Sequence, residues 1–97
     1  MQQSAINEEF LQFCKGLANA NRQHILFSVF IDKDEHTVNE VAEKVGIAKS
    51  TTSEHLSILK RAGVLVSEKR EREVYYRVNK EKINQYLSLI NEWLTCC

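Results

Sequence analysis

Residues 37–63, TVNEVAEKVGIAKSTTSEHLSILKRAG, contain the strongest fold signal in the sequence. Thr37 and Glu40 have the spacing of a capping box, in which each side chain bonds a free backbone amide at the start of a helix. Apolar residues then recur at helical spacing until Gly46, which allows a tight turn because glycine adopts a positive φ at low cost. A second helix is predicted from about Lys49 to Arg61. Two helices joined by a short glycine turn are typical of a helix-turn-helix.

The hydrophobic period changes from about 3.6 residues to two after this segment. VLVSEKR (residues 64–70) and EVYYRV (residues 73–78) are rich in β-branched and aromatic residues, and RER (residues 70–72) separates their apolar parts. Two short alternating runs around a polar break predict a β-hairpin. The arginines give this hairpin a basic tip.

Amphipathic helices are predicted on both sides of this central segment. The first runs over about residues 5–17 and the last over about 81–95. RQHILFSVFI (residues 22–31) predicts a further, largely buried helix capped by Asn19 or Asn21. The terminal helices have apolar faces made of Ile6, Phe10, Phe13, Cys14 and Leu17, and of Ile83, Tyr86, Leu87, Leu89, Ile90, Trp93 and Leu94. Since so wide a face on the last helix needs a partner, pairing of the terminal helices predicts a dimer.

The 97 residues are therefore expected to form a single domain, 1–97, mainly α-helical with a β-hairpin wing. The predicted order is α-α-α-α-β-β-α, with the helix-turn-helix at about 37–62, the wing at about 64–78 and dimerisation through the terminal helices. No apolar run is long enough to cross a membrane, and the polar N-terminus does not resemble a signal peptide. A cytoplasmic location is expected, where thiols stay reduced.

The formal net charge is zero, yet the basic residues are unevenly distributed. Residues 49–77 contain seven basic and four acidic side chains, which gives this segment a net charge of +3. A helix that presents short polar side chains fits the major groove of DNA, and a basic hairpin reaches phosphates. The predicted DNA contacts are Lys49, Ser50, Thr51, Ser53, Glu54, His55, Ser57, Lys60, Lys69, Arg70 and Arg72. The alternative is an ordinary solvated helix face, with Glu54 paired to Lys49 or Arg61.

Three segments resemble the ArsR/SmtB family of metal- and metalloid-responsive repressors. They are LANANRQHIL (17–26), EVAEKVGIAKSTTSEHLSILKRAGVLVSEKRE (40–71) and EVYYRV (73–78). The resemblance implies a homodimer that represses an operon by binding palindromic double-stranded operator DNA until an inducer binds. The chain departs from the family pattern at Asn19 and Ala20, at Ala48 in place of a Ser cap, at Glu54, and at Glu71 in place of a wing-tip glycine.

The cysteines are the remaining candidates for an inducer site. The Cys-x-Cys that some members carry on the first helix of the motif is absent from VNEVAEKV (38–45), and the last helix lacks the histidine of a zinc-type site. Cys14, Cys96 and Cys97 remain, and the paired terminal helices of the family would bring them together, within or across chains. Thiolates select soft ions, and a three-sulfur site suits trivalent arsenic or antimony, whereas zinc requires a fourth ligand. Some arsenic-responsive relatives carry a similar adjacent pair, so arsenite or antimonite is the expected inducer, with no cofactor needed for DNA binding.

Several alternatives stay open at this stage. Cadmium and lead also tolerate three sulfurs, and the thiols can instead respond to oxidants or persulfide. A thiol enzyme is disfavoured because the chain has no C-x-x-C motif and no paired catalytic carboxylates. A dimeric adaptor without DNA affinity is a further possibility. The prediction is a DNA-binding repressor with no enzymatic activity and neither a membrane nor RNA as partner.

Overall fold

A computed structural model describes residues 8–95, and the predicted helical fold with a β-hairpin wing is confirmed. The elements run in the order α1 (Glu8–Leu17), α2 (Ala20–Ser28), a 3-10 helix (Phe30–Asp32), β1 (His36–Thr37), α3 (Val38–Val45), α4 (Lys49–Arg61), β2 (Leu65–Arg70), β3 (Glu73–Val78) and α5 (Lys80–Thr95). The predicted first turn of α1, with Ile6, and the pair Cys96 and Cys97 lie outside the described residues.

The core forms where α2, α3, α4 and the base of the wing meet. Its fully buried side chains include Ile25, Phe30, Val41, Leu56 and Leu65. They come from five different elements and occupy the inner face of each, as the helical and strand periods require. The helix-turn-helix is therefore attached to the wing by a shared apolar core.

The terminal helices join this core through aromatic rings. Tyr86 of α5 is buried, and its ring lies edge-on to those of Phe10 and Phe13 of α1, with centroid separations of 5.0 and 4.7 Å. Edge-to-face geometry places the positive rim of one ring against the negative face of the other. Within one chain, α1 and the first half of α5 thus form a packed pair.

The turn between α3 and α4 follows the predicted chemistry. The Thr37 hydroxyl accepts from the Glu40 amide at 3.3 Å, and the Glu40 carboxylate accepts from the Thr37 amide at 3.0 Å, which completes the capping box. Gly46 ends α3 with φ of 70°, in the left-handed region. These two devices fix where α3 begins and ends.

A short strand that the sequence analysis missed extends the wing. β1 pairs with β3 through His36 opposite Tyr76 and Thr37 opposite Tyr75, so the sheet has the order β1-β3-β2. A two-residue strand is too short to show a period of two in the sequence. The predicted element order therefore gains one strand before α3.

Three apolar side chains are more exposed than predicted. Cys14 was assigned to the inner stripe of α1 but is exposed, because Phe13 and Gly16 are the α1 residues buried against the core. The helix containing Phe27 and Ile31 was predicted to be largely buried, yet these two side chains are 67% and 62% exposed. In each case the chain has more apolar surface than one protomer covers.

The start of α4 lacks a side-chain cap, because Ala48 occupies the N-cap position. We expect Ala48→Ser to raise the free energy of unfolding by about 1 kcal/mol, since a serine oxygen accepts from an otherwise free amide of the first turn. Asn19→Ala is the reverse change, because Asn19 caps α2 by accepting from the Arg22 amide at 3.0 Å, and it should cost a similar amount. Urea denaturation measures both, and an unchanged unfolding midpoint for Ala48→Ser would contradict this account of α4.

Candidate nucleic-acid interface

The outer face of α4 carries the polar residues predicted to read DNA. Thr52, Leu56 and Leu59 are fully buried and attach one side of the helix to the core. The opposite side is open to solvent. Six of the predicted DNA contacts are exposed there: Lys49, Ser50, Thr51, Ser53, Glu54 and Lys60. Glu54 forms no ion pair with Lys49 or Arg61 within 4 Å in the described part of the chain, so the proposed intrahelical pairing is absent.

Two predicted contact residues, His55 and Ser57, are only half exposed. The His55 ring lies on the flank of α4 that faces the start of α2, where the Arg22 guanidinium approaches its Nδ1 atom to 3.5 Å. This contact places His55 between the DNA-facing surface and the body of the protein. Contact of His55 with DNA stays a prediction, and helical spacing did not indicate that a neighbouring helix covers part of its ring.

Arg61 is an interface candidate that the sequence reasoning left out. It is exposed and lies on the same face of α4 as Ser50, Glu54 and Ser57, at positions i, i+4, i+7 and i+11. The helical spacing in the sequence was therefore sufficient to include Arg61 among the predicted DNA contacts. A cation at the last turn of a groove-bound helix is suited to contact phosphate.

The wing presents its basic side chains unequally. Arg70 belongs to β2, opposite Glu73, and not to the tip as predicted, so the turn consists of Glu71 and Arg72 alone. The Arg70 guanidinium pairs with Glu35 and lies over the Tyr75 ring at 4.2 Å from its centroid. Hydrogen bonding to Glu35 raises the pKa of Arg70 above its ordinary value. Lys69 and Arg72 are exposed and have no ion pair in the described residues, which leaves them available for phosphate.

A small polar cluster holds the loop that Arg70 contacts. His36 is buried, with Nε2 at 2.9 Å from Asp32 Oδ2 and Nδ1 at 3.4 Å from Glu40 Oε1. The Asp34 backbone amide donates to Asp32, and this bond, with the bond from His36, lowers the pKa of Asp32. The loop before α3 is thus fixed by its own side chains, and Arg70 fastens the wing to it through Glu35.

Glu71, in the turn of the wing, has a backbone conformation that is unfavourable for a residue with a side chain. Glu71 has φ of 57°, in the left-handed region where a Cβ is costly. We expect Glu71→Gly to raise the free energy of unfolding by about 0.5–1 kcal/mol. Glycine removes the backbone strain of the folded state, but part of this gain is lost because glycine has a higher conformational entropy in the unfolded chain. The variant should also bind DNA more tightly, because an acidic side chain leaves the side of the wing that faces phosphate.

Glu71→Gln is the matched control, since it removes the charge and keeps the strained backbone. It should increase DNA affinity without changing the unfolding midpoint in urea. Equal stabilisation by Gly and Gln would show that the strained φ is not the cause.

The predicted thiol site is only partly within the described residues. Cys14 is exposed on α1, whereas Cys96 and Cys97 follow the end of α5 and are not described. Among residues 8–95, no three His, Cys, Asp or Glu side chains are grouped to hold a metal ion. Convergence of the three thiols therefore stays a prediction.

The helix-turn-helix and the wing together define a class of protein. A helix-turn-helix whose second helix exposes a short polar face, followed by a hairpin with free basic side chains, is a winged helix-turn-helix DNA-binding domain. In the described part of the chain, no helix is both long enough and apolar enough to span a membrane.

Comparison with known proteins agrees with this class. Residues 19–67 match the family model described as bacterial regulatory protein, arsR family. The chain is 30% identical over 76 residues to the uncharacterised HTH-type transcriptional regulator YceK of Bacillus subtilis, an alignment covering 78% of this chain and 76% of that one. It is 35% identical over 77 residues to the cadmium resistance transcriptional regulatory protein CadC of Listeria innocua, covering 79% of this chain but only 64% of CadC.

A solved structure shares the fold over nearly the whole chain. The homodimeric winged helix-turn-helix DNA-binding domain of Mb0332 from Mycobacterium bovis, a possible ArsR-family transcriptional regulator, superimposes with a TM-score of 0.74 at 26% identity. The match covers 93% of this chain and 82% of that one.

The chain belongs to the arsR family of bacterial regulatory proteins. It is a DNA-binding transcriptional regulator, which confirms the family resemblance and the prediction that it is not an enzyme. The family assignment does not specify an inducer for this chain.

Proposed function

We propose that the protein is a homodimeric, cytoplasmic repressor that releases its operator when trivalent arsenic or antimony binds the thiolates of Cys14, Cys96 and Cys97. The observation that carries this proposal is the exposure of Cys14 on the outer side of α1. An exposed thiol on a helix that packs against α5 is accessible to a ligand shared with cysteines that follow α5.

The homodimer is supported by uncovered apolar surface on the terminal helices. Leu87, Trp93 and Leu94 of α5 are 58%, 75% and 67% exposed in the single chain, and Leu11 of α1 is 47% exposed. A contiguous apolar face of this kind marks an interaction site. The related Mb0332 domain is a homodimer, and a two-fold arrangement would present two α4 helices to successive major grooves, about 34 Å apart.

The soft-ligand chemistry supports arsenic or antimony as inducer. Three thiolates satisfy a pyramidal trivalent ion whose lone pair occupies the fourth position, and a pair of adjacent thiolates suits a methylated arsenical. The relation to CadC favours cadmium as a second candidate, since the name of that protein refers to cadmium resistance. Lead, oxidants and persulfide are further triggers that the same thiols would accept.

Release follows from linkage between the two sites. An inducer that binds better to a dimer whose α4 helices no longer match the operator must lower DNA affinity, and DNA must lower inducer affinity by the same factor. A hundredfold loss of affinity requires about 2.7 kcal/mol, which a few displaced phosphate contacts supply.

The proposal is tested by release of operator DNA. A duplex is selected by the wild-type protein from a randomised library, and its affinity is measured with arsenite, antimonite, cadmium, lead and zinc under reducing conditions, and with polysulfide after the reductant has been removed. We expect arsenite and antimonite to release the DNA at the lowest concentrations, and zinc to have little effect. Release by polysulfide alone, or by cadmium and lead without arsenite, would replace the metalloid with one of the alternatives.

A further inference from the structure

Arg22 connects two parts of the molecule that the sequence does not link. Its Nε atom donates to the Gly16 carbonyl at 2.7 Å, and one terminal nitrogen donates to the Lys15 carbonyl at 3.2 Å. These carbonyls belong to the last turn of α1, beyond the regular hydrogen bonds of the helix, and the Lys15 carbonyl also accepts from the Ala18 amide at 3.1 Å. The other terminal nitrogen lies 3.5 Å from His55 Nδ1, and it donates to that atom in the tautomer whose proton is on Nε2, because a guanidinium has only donors.

A second contact between the same two helices is a close apolar approach and not a hydrogen bond. A Cβ placed on Gly16 would lie 2.6 Å from the Cβ of Ala62, the C-cap residue that directly follows α4. The backbone of α1 therefore rests directly against the C-terminal end of the recognition helix. Through Gly16 and Arg22, the end of α1 touches α4 at both its middle and its end.

We propose that Arg22 is a positioning residue that sets the recognition helix relative to α1, by bridging the Lys15 and Gly16 carbonyls to His55. Cys14 lies on α1 immediately before these carbonyls, so a displacement of α1 at Cys14 passes to α4 through the bridge. The positioning of α4 stands on the contacts alone, whereas its use by an inducer rests on the proposed function. In this arrangement His55 acts on DNA through its place in the bridge and not as an exposed reader of bases.

Gln23 provides a matched control for the experiment. Its side chain also donates to an α1 carbonyl, that of Leu17 at 2.6 Å, but it forms no hydrogen bond to α4. Arg22→Ala, His55→Ala, their double variant and Gln23→Ala are compared for affinity to the duplex selected by the wild-type protein. Arg22→Lys keeps the positive charge but lacks the several N–H donors of the guanidinium. Urea unfolding verifies that each variant is folded.

We expect Arg22→Ala and His55→Ala each to lower inducer-free affinity by about 2- to 30-fold, the range over which coupling residues act. The affinity of the double variant should be no more than about twofold lower than that of the weaker-binding single variant, because both changes break the same bridge. Arg22→Lys should behave as Arg22→Ala, and Gln23→Ala should stay within about twofold of wild type. Additive losses, rescue by lysine or an equal loss in Gln23→Ala would overturn the inference.

Arsenite then tests the coupling. Arg22→Ala should show a smaller ratio of affinities without and with arsenite than Gln23→Ala does. If wild-type protein binds the duplex and ignores arsenite, the proposed inducer fails, while the double-variant comparison still decides the role of Arg22. An undiminished arsenite ratio in Arg22→Ala would remove the bridge from the signalling route.

Discussion

Replacing Leu87 and Leu94 by glutamate is expected to convert the dimer to a monomer and to lower operator affinity by about 10²- to 10⁴-fold. Both side chains are mostly exposed in the single chain, so the substitutions leave the core of the protomer intact. In the dimer they would bury four carboxylates in an apolar interface, which is strongly unfavourable. Each recognition helix would then bind its half-site without the high effective concentration that its partner provides.

Sedimentation equilibrium and titration of the selected duplex measure this effect. Gln85 and Ser88 are exposed on other faces of α5, so Gln85→Glu combined with Ser88→Glu adds the same charge away from the apolar surface. This control should remain dimeric and lose only the affinity caused by added negative charge. A dimer that persists in the Leu87 and Leu94 variant would place the interface on another surface.

Changing Cys96 and Cys97 together to serine is expected to abolish release by arsenite while leaving inducer-free DNA affinity unchanged. The wild-type affinity should fall by about 5- to 150-fold with arsenite, a range typical of coupling between two sites. The ratio should approach one in the variant, because a serine hydroxyl is a hard, protonated group that does not replace a thiolate. The measurement is duplex affinity in a phosphine reductant with and without arsenite.

Cys14→Ser separates the two-thiol and three-thiol forms of the site. An organic arsenical with two exchangeable positions should release both wild type and Cys14→Ser, whereas arsenite should release Cys14→Ser poorly. Thr95→Ser, a conservative change beside the pair, should behave as wild type. If the double serine variant still releases DNA in arsenite, Cys96 and Cys97 are not the inducer ligands.

Much of the fold could be predicted from local sequence because its signals act over a few residues. The capping box of Thr37 and Glu40, the left-handed Gly46 and the bounds of α4 follow from neighbouring side chains and backbone preference. These features needed no information on distant contacts.

The departures arose where elements from different parts of the chain meet. The ion pair of Arg70 with Glu35 joins residues that lie 35 positions apart, and the charge of Arg70 alone did not indicate it. The brief pairing of β1 with β3 likewise left no periodic pattern. Sequence spacing reports the face of an element and not the neighbour that covers that face.

Local sequence signals were sufficient to predict a winged helix-turn-helix, because capping, glycine turns and hydrophobic period are properties of short segments. The arsR family was indicated by the resemblance of residues 17–26, 40–71 and 73–78 to that family. Which polar side chains of the fold remain free depends on tertiary packing. In the tertiary structure Cys14 is exposed to solvent, Arg70 is paired with Glu35, and His55 contacts α1 through Arg22. The physical reason is that exposure and hydrogen bonding depend on the packing of whole helices, to which each segment contributes only one surface.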